Sequence, residues 1–516
     1  MNVNKVLKRI INAIGIILLS IVVILNIIYT TRIRAFEYAE TTKNSILMIV
    51  VVAFCVFLIY KLLTGSKIQI KDKNTKILIL VVISIFYLIA QMIWIKMMDT
   101  YPNADQYYAY NFAKVIANID GTTPMKIDLD YFAFYPFQIN LSFIFAIIFK
   151  ICHSTNVRIL QVINAIANTL NILAIYLITK ELGKKYNVNK EVSVFIYLIF
   201  TPVMILSTFV YGDFLSLNAA LFAIYFIMKY TSSNDKKRKC IYLISSGLMM
   251  MLALFVRNNS VIIILAILIY LFLDLLKKED KKTTYLKKIA LMILFTVIAI
   301  MPSRLTQSYL LKKYNIESGK ECTLISYLVM GIDRSPYGYG WYDNKYGRGN
   351  VNVPKEERTK EQLERLDKIK SYYKENPAEL LRFYTYKEAS MWCEPTFECL
   401  YDNVASFGAA REGQEYESFQ KDEKLMEAVK YYVPYMKIVT SFIFAISLLV
   451  IINRRKNITN EAILLIVIFI GGFLFHTIWE AKSRYIILYV VILIPLCSIE
   501  IEKHKIKKLE EANTKK

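Results

Sequence analysis

Apolar and polar positions along this chain fall into long blocks instead of the short alternations of a water-soluble fold. Near-continuous apolar runs lie at about 10–29, 45–63, 77–97, 137–151, 157–179, 192–210, 213–230, 240–256, 259–276, 286–303, 434–452, 460–478 and 484–500. A helix needs about 20 apolar residues to cross the hydrocarbon layer of a bilayer, and most of these runs approach that length. The pattern predicts an all-α polytopic membrane protein. The run at 137–151 is the exception, because its fifteen residues of helix reach only about 22 Å. A re-entrant or partly spanning segment is expected there, with about twelve full spans elsewhere.

Charge between the runs sets the expected orientation. Lys61, Lys67, Lys71, Lys73 and Lys76 form one basic loop; Lys180, Lys184 and Lys185 form a second. Lys236, Lys237, Arg238 and Lys239 form a third, and the run from Lys277 to Lys288 a fourth. Lys and Arg collect in cytoplasmic loops, so these loops and both termini are expected inside. The chain then divides into N-terminal transmembrane helices (1–97), a first outer loop (98–136), a transmembrane core (137–305), a small helical outer-face loop domain (306–433), C-terminal transmembrane helices (434–502) and a basic cytoplasmic tail (503–516). Pro354 to Glu375, in the middle of the outer domain, carries charge at helical spacing. The start of the chain, with Lys5, Lys8 and Arg9 before an apolar stretch, is read as the first span and not as a cleaved leader.

Composition narrows the partners. The formal charge is +22, yet the cations sit in short loops beside apolar runs, which points to the bilayer surface and away from nucleic acid. Seven cysteines are scattered, mostly in or beside apolar runs, with no metal-ligand spacing, so neither a disulfide framework nor a zinc site is expected.

The first outer loop holds the leading candidate for chemistry. Asn103 and Gln106 have the spacing of a helix N-cap and its N3 partner, predicting a helix from about Ala104 to Ile119. Tyr108, Phe112, Val115, Ile116 and Ile119 would form one apolar face, as on a helix lying at a membrane surface. Asp105 stands in the first turn, where the helix dipole favours an ionised carboxylate. Capping charge alone would also account for an aspartate there. Other polar groups break apolar runs at the same expected face: Tyr211-Gly212-Asp213, Arg257-Asn258-Asn259, and Trp479-Glu480-Ala481-Lys482-Ser483-Arg484-Tyr485. Charges at membrane depth are costly and usually line a cavity or meet a partner, so their shared side points to a polar site. The outer domain adds Lys387, Trp392 and Glu394 near its end, with Trp392 at the depth of an aromatic belt. The Gly- and Tyr-rich stretch from Gly331 to Tyr342 reads as irregular loop without the setting of a phosphate cradle.

These motifs, in this order, resemble the multispanning GT-C glycosyltransferases that use polyprenyl-phosphate sugars, in particular the protein-mannosyltransferase-like group (family 39) and its bacterial relatives. The resemblance covers about residues 98–500. It is carried by Asp105-Gln106 with Tyr108 and Ala113, by Tyr135-Pro136-Phe137-Gln138, and by Ser207 to Asp213. Arg257-Asn258-Asn259-Ser260, Trp392 with Glu394-Pro395, and Glu480 to Tyr485 complete it. Many such relatives carry a second acid directly beside the first; here Gln106 stands in that place, leaving the base role to Asp105 unless Asp120, Asp128 or Asp130 helps. The resemblance implies transfer of a sugar from a lipid-phosphate donor with inversion, Asp105 as general base, and cations on the departing phosphate. Arg484 and Lys482 come first for that role, then Arg257 and Lys387. Gln106, Tyr108, Tyr135, Gln138, Tyr211, Asp213, Trp392, Glu394, Glu480 and Tyr485 would line the substrate groove. No cofactor and no metal enters such a scheme. A polysaccharide polymerase or ligase, a lipid-linked sugar flippase, and a transporter stay open as alternatives. Neither the sugar nor the acceptor (protein, lipid or envelope polymer) is written in the sequence.

Overall fold

The computed structural model describes residues 3–34, 37–65, 72–119, 128–276, 282–406 and 418–499. Asp120 and the tail at 503–516 lie outside them. The chain opens with α1 (Val3–Ile28), a hairpin of β1 (Tyr29–Ile33) and β2 (Ala39–Lys43), and helices α2 (Ile46–Gly65) and α3 (Lys73–Met98). The first candidate loop forms α4 (Ala104–Ala117) and α5 (Leu129–Phe134), followed by α6 (Ile139–Cys152). The central bundle comprises α7 (Val157–Leu182), α8 (Lys190–Ile199), α9 (Pro202–Ile205), α10 (Asp213–Ser232), α11 (Lys236–Val256), α12 (Val261–Leu275) and α13 (Lys282–Lys313). Beyond it lie α14 (Leu324–Ile332), β3 (Arg334–Ser335), β4 (Gly338–Tyr339), α15 (Lys355–Glu375), α16 (Pro377–Trp392) and α17 (Cys399–Ser406). The chain closes with α18 (Ser418–Asn453), α19 (Asn460–Ile478) and α20 (Ile487–Leu493).

Among the described residues, ten helices are long and apolar enough to cross a membrane, or eleven if the bent pair Lys190–Ile199 and Pro202–Thr208 counts as one span. The bend of 53° falls at Pro202, which has no N–H to continue the helix and so starts the next one. Among the described residues, the expected twelve are met only when both the bent pair and the shorter helix Arg484–Ser498 are counted as spans. Helix α6 has both ends on one face. Gln138, just before it, bonds to Tyr211. Just after it, the Thr155 carbonyl accepts from the Tyr110 hydroxyl at 2.8 Å and Arg158 donates to the Ile95 carbonyl at 2.8 Å. With 14 residues, α6 is one of the shorter apolar helices, below the length of a full span.

The bundle separates two faces. On one lie Asp105, Tyr211, Arg257 and Arg484, together with the hairpin and α14 to α17. The opposite face is stitched by Lys76–Glu191 (3.3 Å) and Lys288–Asp274 (3.3 Å). Asn4 donates there to the Leu273 carbonyl at 2.6 Å, and Val188 bridges Ile499. Both ends of the described chain therefore share a face. Helices α7, α10, α18 and α19 carry the core, while α2 and α3 pack at the periphery with large apolar side chains such as Phe54, Phe57 and Phe86 turned outward. Outward apolar faces of this kind are stable only against lipid.

The β hairpin had no counterpart in the reading of apolar runs. Its register pairs Thr31 with Thr41 and Ile33 with Ala39. It is clasped to α16, since Thr31 N donates to the Cys393 carbonyl and its hydroxyl to the Ala389 carbonyl, both at 2.9 Å. The Gly- and Tyr-rich stretch is also better ordered than an irregular loop: β3 pairs with β4, and Ala481 N donates to the Gly340 carbonyl at 2.7 Å. Gly340 has φ +71°, and a Cβ there would lie 2.7 Å from the Gly331 carbonyl oxygen. Only glycine lets the two strands of chain approach this closely.

Candidate functional site

Asp105 is solvent-exposed at the first turn of α4. Its two carboxylate oxygens each accept one phenol, Tyr131 at 3.0 Å and Tyr211 at 3.0 Å. Burial, reinforced by the neighbouring Asp105 charge, holds both phenols protonated well above their ordinary range, so both remain donors. The preceding residue, Ala104, has φ +43°, a conformation costing a non-glycine residue about 1–2 kcal/mol. The expected capping box does not form. Gln106 donates to the side chain of the N-cap, Asn103 Oδ1, at 2.9 Å and accepts from Val210 N at 2.8 Å. It is buried and ties α4 to the 209–212 loop, with both of its side-chain polar atoms bonded to protein. Nor does α4 lie on a membrane surface by its expected apolar face: Phe112 is buried against Phe132, and Tyr108, Val115 and Ile116 pack in the same cluster.

Tyr211 is the hub. Its hydroxyl donates to Asp105 and accepts from Gln138, while its ring lies under the Arg257 guanidinium at 4.8 Å and 5.8 Å from that of Arg484. Gly212, next in the chain, has φ +84°, and a Cβ there would meet the Val256 carbonyl oxygen at 2.5 Å. Glycine at this point lets the loop turn and start α10 with Asp213. Arg257 pairs with Asp213 at 3.1 Å and also lies 5.1 Å over Tyr485. Arg484 sits 3.9 Å over Phe209 and pairs with Asp402 at 3.5 Å. Lys482 pairs with Glu37 at 2.7 Å and lies 3.8 Å from Glu398. A narrow cavity of about 40 Å³ opens between Asp213, Arg257, Arg484, Tyr485 and Tyr489. Asp213 Oδ2 and Arg484 Nε are buried there without a protein partner. Buried polar atoms normally find one, so this cavity is built for water or a polar ligand.

The structure thus gathers Asp105, Tyr108, Tyr135, Gln138, Tyr211, Asp213, Arg257, Glu480, Lys482, Arg484 and Tyr485 on one face. Glu480 accepts from the Tyr485 hydroxyl at 3.4 Å, and burial, opposed by Lys482 and reinforced by Asp105, pushes its carboxyl up to about 7. Tyr135 is half-buried with its ring 5.4 Å from Tyr131.

Three expected site residues lie elsewhere. Lys387 is fully buried and spends all three ammonium hydrogens on backbone carbonyls, Gly331 at 2.5 Å, Trp479 at 2.7 Å and Thr477 at 2.9 Å. It has no donor left for a phosphate. Trp392 is packed among Phe444, Phe469 and Phe473 with 1% of its surface exposed, so it neither anchors at a lipid interface nor lines a groove. Glu394 is fully buried and accepts from Thr396 N and Glu398 N at 2.8 Å, from the Thr396 hydroxyl at 2.5 Å and from the Ser483 hydroxyl at 2.8 Å. It pins a turn in which Phe397 and Glu398 take positive φ. Glu398 in turn accepts from Ser483 and from Arg484 N. Glu394 therefore positions the backbone that presents Arg484.

Sequence reasoning missed Tyr131, Glu37, Asp402 and Arg348. Arg348, from the segment after the Gly- and Tyr-rich stretch, donates to the Tyr108 hydroxyl, pairs with Asp128 and lies 4.7 Å over the Tyr108 ring, which stacks on Tyr131 at 4.2 Å. Asp128 and Asp130 do not assist Asp105, for Asp130 is paired with Lys320 at 3.1 Å. The repeated aromatic residues of Asp-Tyr-Phe-Ala-Phe-Tyr at 130–135 were the one available signal for Tyr131; Arg348, 243 residues from Asp105 in sequence, had none.

Fold and site together define a polytopic membrane protein with a charged pocket open on one face. Residues 3–505 match the family described as conserved hypothetical integral membrane protein, and the chain belongs to that family. No curated protein matches it. Among solved structures it is similar to the archaeal oligosaccharyltransferase from Archaeoglobus fulgidus in complex with an inhibitory peptide and a dolichol-phosphate. That similarity has 16% identity and a TM-score of 0.39 over 80% of this chain and 50% of that one. The apo form gives 16% identity and a TM-score of 0.39 over 83% and 52%. The chain spans about half the length of these proteins.

Proposed function

We propose that this protein is an integral-membrane glycosyltransferase that moves a sugar from a polyprenyl-phosphate donor to an acceptor, with the Asp105 face outside the cell membrane and both termini in the cytoplasm. The acceptor hydroxyl attacks the anomeric carbon on the side opposite the phosphate and gives its proton to Asp105. The carbon–oxygen bond to phosphate breaks, and the configuration inverts. The polyprenyl phosphate leaves as an anion, stabilised by Arg484 and Arg257, with Lys482 adding charge behind them. Arg348 supplies a further cation beside Tyr108. Tyr135 and Tyr485 offer apolar ring faces to the sugar, and Tyr131 and Tyr211 orient the base.

One observation carries this reading: an exposed carboxylate, steered by two phenols, joins through Tyr211 to two arginines around a cavity with unsatisfied polar atoms. The motif resemblance supplies the donor class. The test is purified full-length protein with a radiolabelled polyprenyl-phosphate sugar. Transfer or donor hydrolysis that disappears in a folded Asp105→Asn variant supports the base; equal activity in the variant rejects it. Movement of lipid-linked sugar across proteoliposomes without any transfer would move the assignment to a flippase.

A further inference from the structure

On the face opposite Asp105, a second cavity of about 350 Å³ opens between the start of α1 and the α18–α19 turn. It is lined by Asn4, Lys5, Lys8, Arg9, Arg455, Lys456 and Ile458. Five of these seven side chains are cationic, and among the described residues no carboxylate lines the cavity. Lys5, Arg9, Arg455 and Lys456 are solvent-exposed, so their heads can converge on a common anion. Immediately beyond Arg9, α1 shows a stripe of outward apolar side chains at helical spacing, Ile10, Ile14, Ile17, Ile21 and Ile24. Such a stripe faces acyl chains in a membrane helix. The basic cavity therefore sits where the headgroup layer meets the hydrocarbon.

We infer that this cavity is a binding site for the phosphate headgroup of an anionic membrane lipid, whose acyl chains run along the isoleucine stripe of α1. The chemistry is that of basic pockets between helix ends: Arg9 and Arg455 supply forked donors to phosphate oxygens, and Lys5 and Lys456 supply point charge. The stripe selects a lipid over a free anion, because only a lipid gains from apolar contact beside the charge. The site does not depend on the enzymatic reading, since its residues touch none of the groups around Asp105.

The test uses full-length protein in nanodiscs of phosphatidylcholine, titrated with a fluorescent phosphatidylglycerol. Wild type is expected to bind phosphatidylglycerol in preference to labelled phosphatidylcholine, and Arg9→Gln, Arg455→Gln and Lys456→Gln together are expected to weaken binding about 100-fold. A control with Lys236→Gln, Lys237→Gln and Arg238→Gln removes equal charge from the same face, outside the cavity, and is expected to change binding less than about threefold. Should the triple variant fail to fold, Lys456→Gln alone is expected to cost about fivefold. Equal losses in the cavity and control variants would reduce the effect to general surface charge and overturn the site. Displacement of the lipid by inorganic phosphate at millimolar concentration would assign the cavity to a free anion and overturn the lipid.

Discussion

The two basic regions of this molecule treat charge in opposite ways. Around Asp105, Arg257, Arg348, Lys482 and Arg484 each have a carboxylate partner: Asp213, Asp128, Glu37 and Asp402 respectively. On the opposite face, the cavity between α1 and the α18–α19 turn is lined by cations with no acid among the described residues. Pairing holds a guanidinium in one place at the cost of some of its attraction for an incoming anion, which suits a group that must meet a transition state. Exposed side chains such as Lys5, Arg9, Arg455 and Lys456 have less fixed geometry, which suits retention of a headgroup.

The sharpest way to break this comparison is at the base. Asp105→Asn keeps the size and one acceptor oxygen for a phenol but cannot take a proton, and sugar transfer is expected to fall by about 10²–10⁴-fold while the protein stays folded. Retained transfer would remove catalysis from the Asp105 face. Next in size is Lys387→Met, which leaves the carbonyls of Gly331, Thr477 and Trp479 without their donor. At about 1–3 kcal/mol for each unsatisfied group, the expected result is a large drop in thermal stability, with KM for the donor unchanged in the protein that remains folded. A selective rise in KM would return Lys387 to the donor site. Arg348→Gln removes one charged contact beside Tyr108 and Asp128. It is expected to raise KM for the lipid donor about tenfold with kcat little altered; a fall confined to kcat would place Arg348 at the reacting centre.

The smallest effect concerns pH. The Glu480 carboxyl is raised to about 7 in the folded protein, mainly by burial, against about 4.3 in an unfolded chain. The folded state therefore holds the proton more tightly, and the stability associated with it is full below about pH 4 and lost as pH rises to 7. Glu480→Gln is expected to remove that loss, so unfolding curves of variant and wild type should diverge in favour of the variant between about pH 5 and 7.5. Parallel curves over that window would show that Glu480 does not titrate there.

The corrections have one cause in common. Lys387 and Arg484 are alike on the page: a cation close to an aromatic residue and a glutamate. What separates them is whether neighbouring backbone carbonyls or an open cavity receive the charge, and that depends on how α16, α19 and the Gly331 region meet. The motif resemblance puts Glu394 and Trp392 in the groove, yet a short motif says nothing about which side of α16 and of the turn after it faces the core. Gln106 was read as a local cap, yet a contact 104 residues away, Val210, claimed its carbonyl oxygen.

The linear sequence by itself determined where the membrane helices fall, because crossing a bilayer is a requirement on uninterrupted apolar length that any short window reveals. It also marked the polar breaks at 211–213, 257–259 and 479–485, since charge beside such runs is too costly to be incidental. Tertiary structure alone decided which charges pair, which are spent on backbone and which face open space. Those outcomes depend on side chains brought together from more than 200 residues apart, as with Tyr108 and Arg348 or Glu37 and Lys482, and no local pattern encodes the meeting.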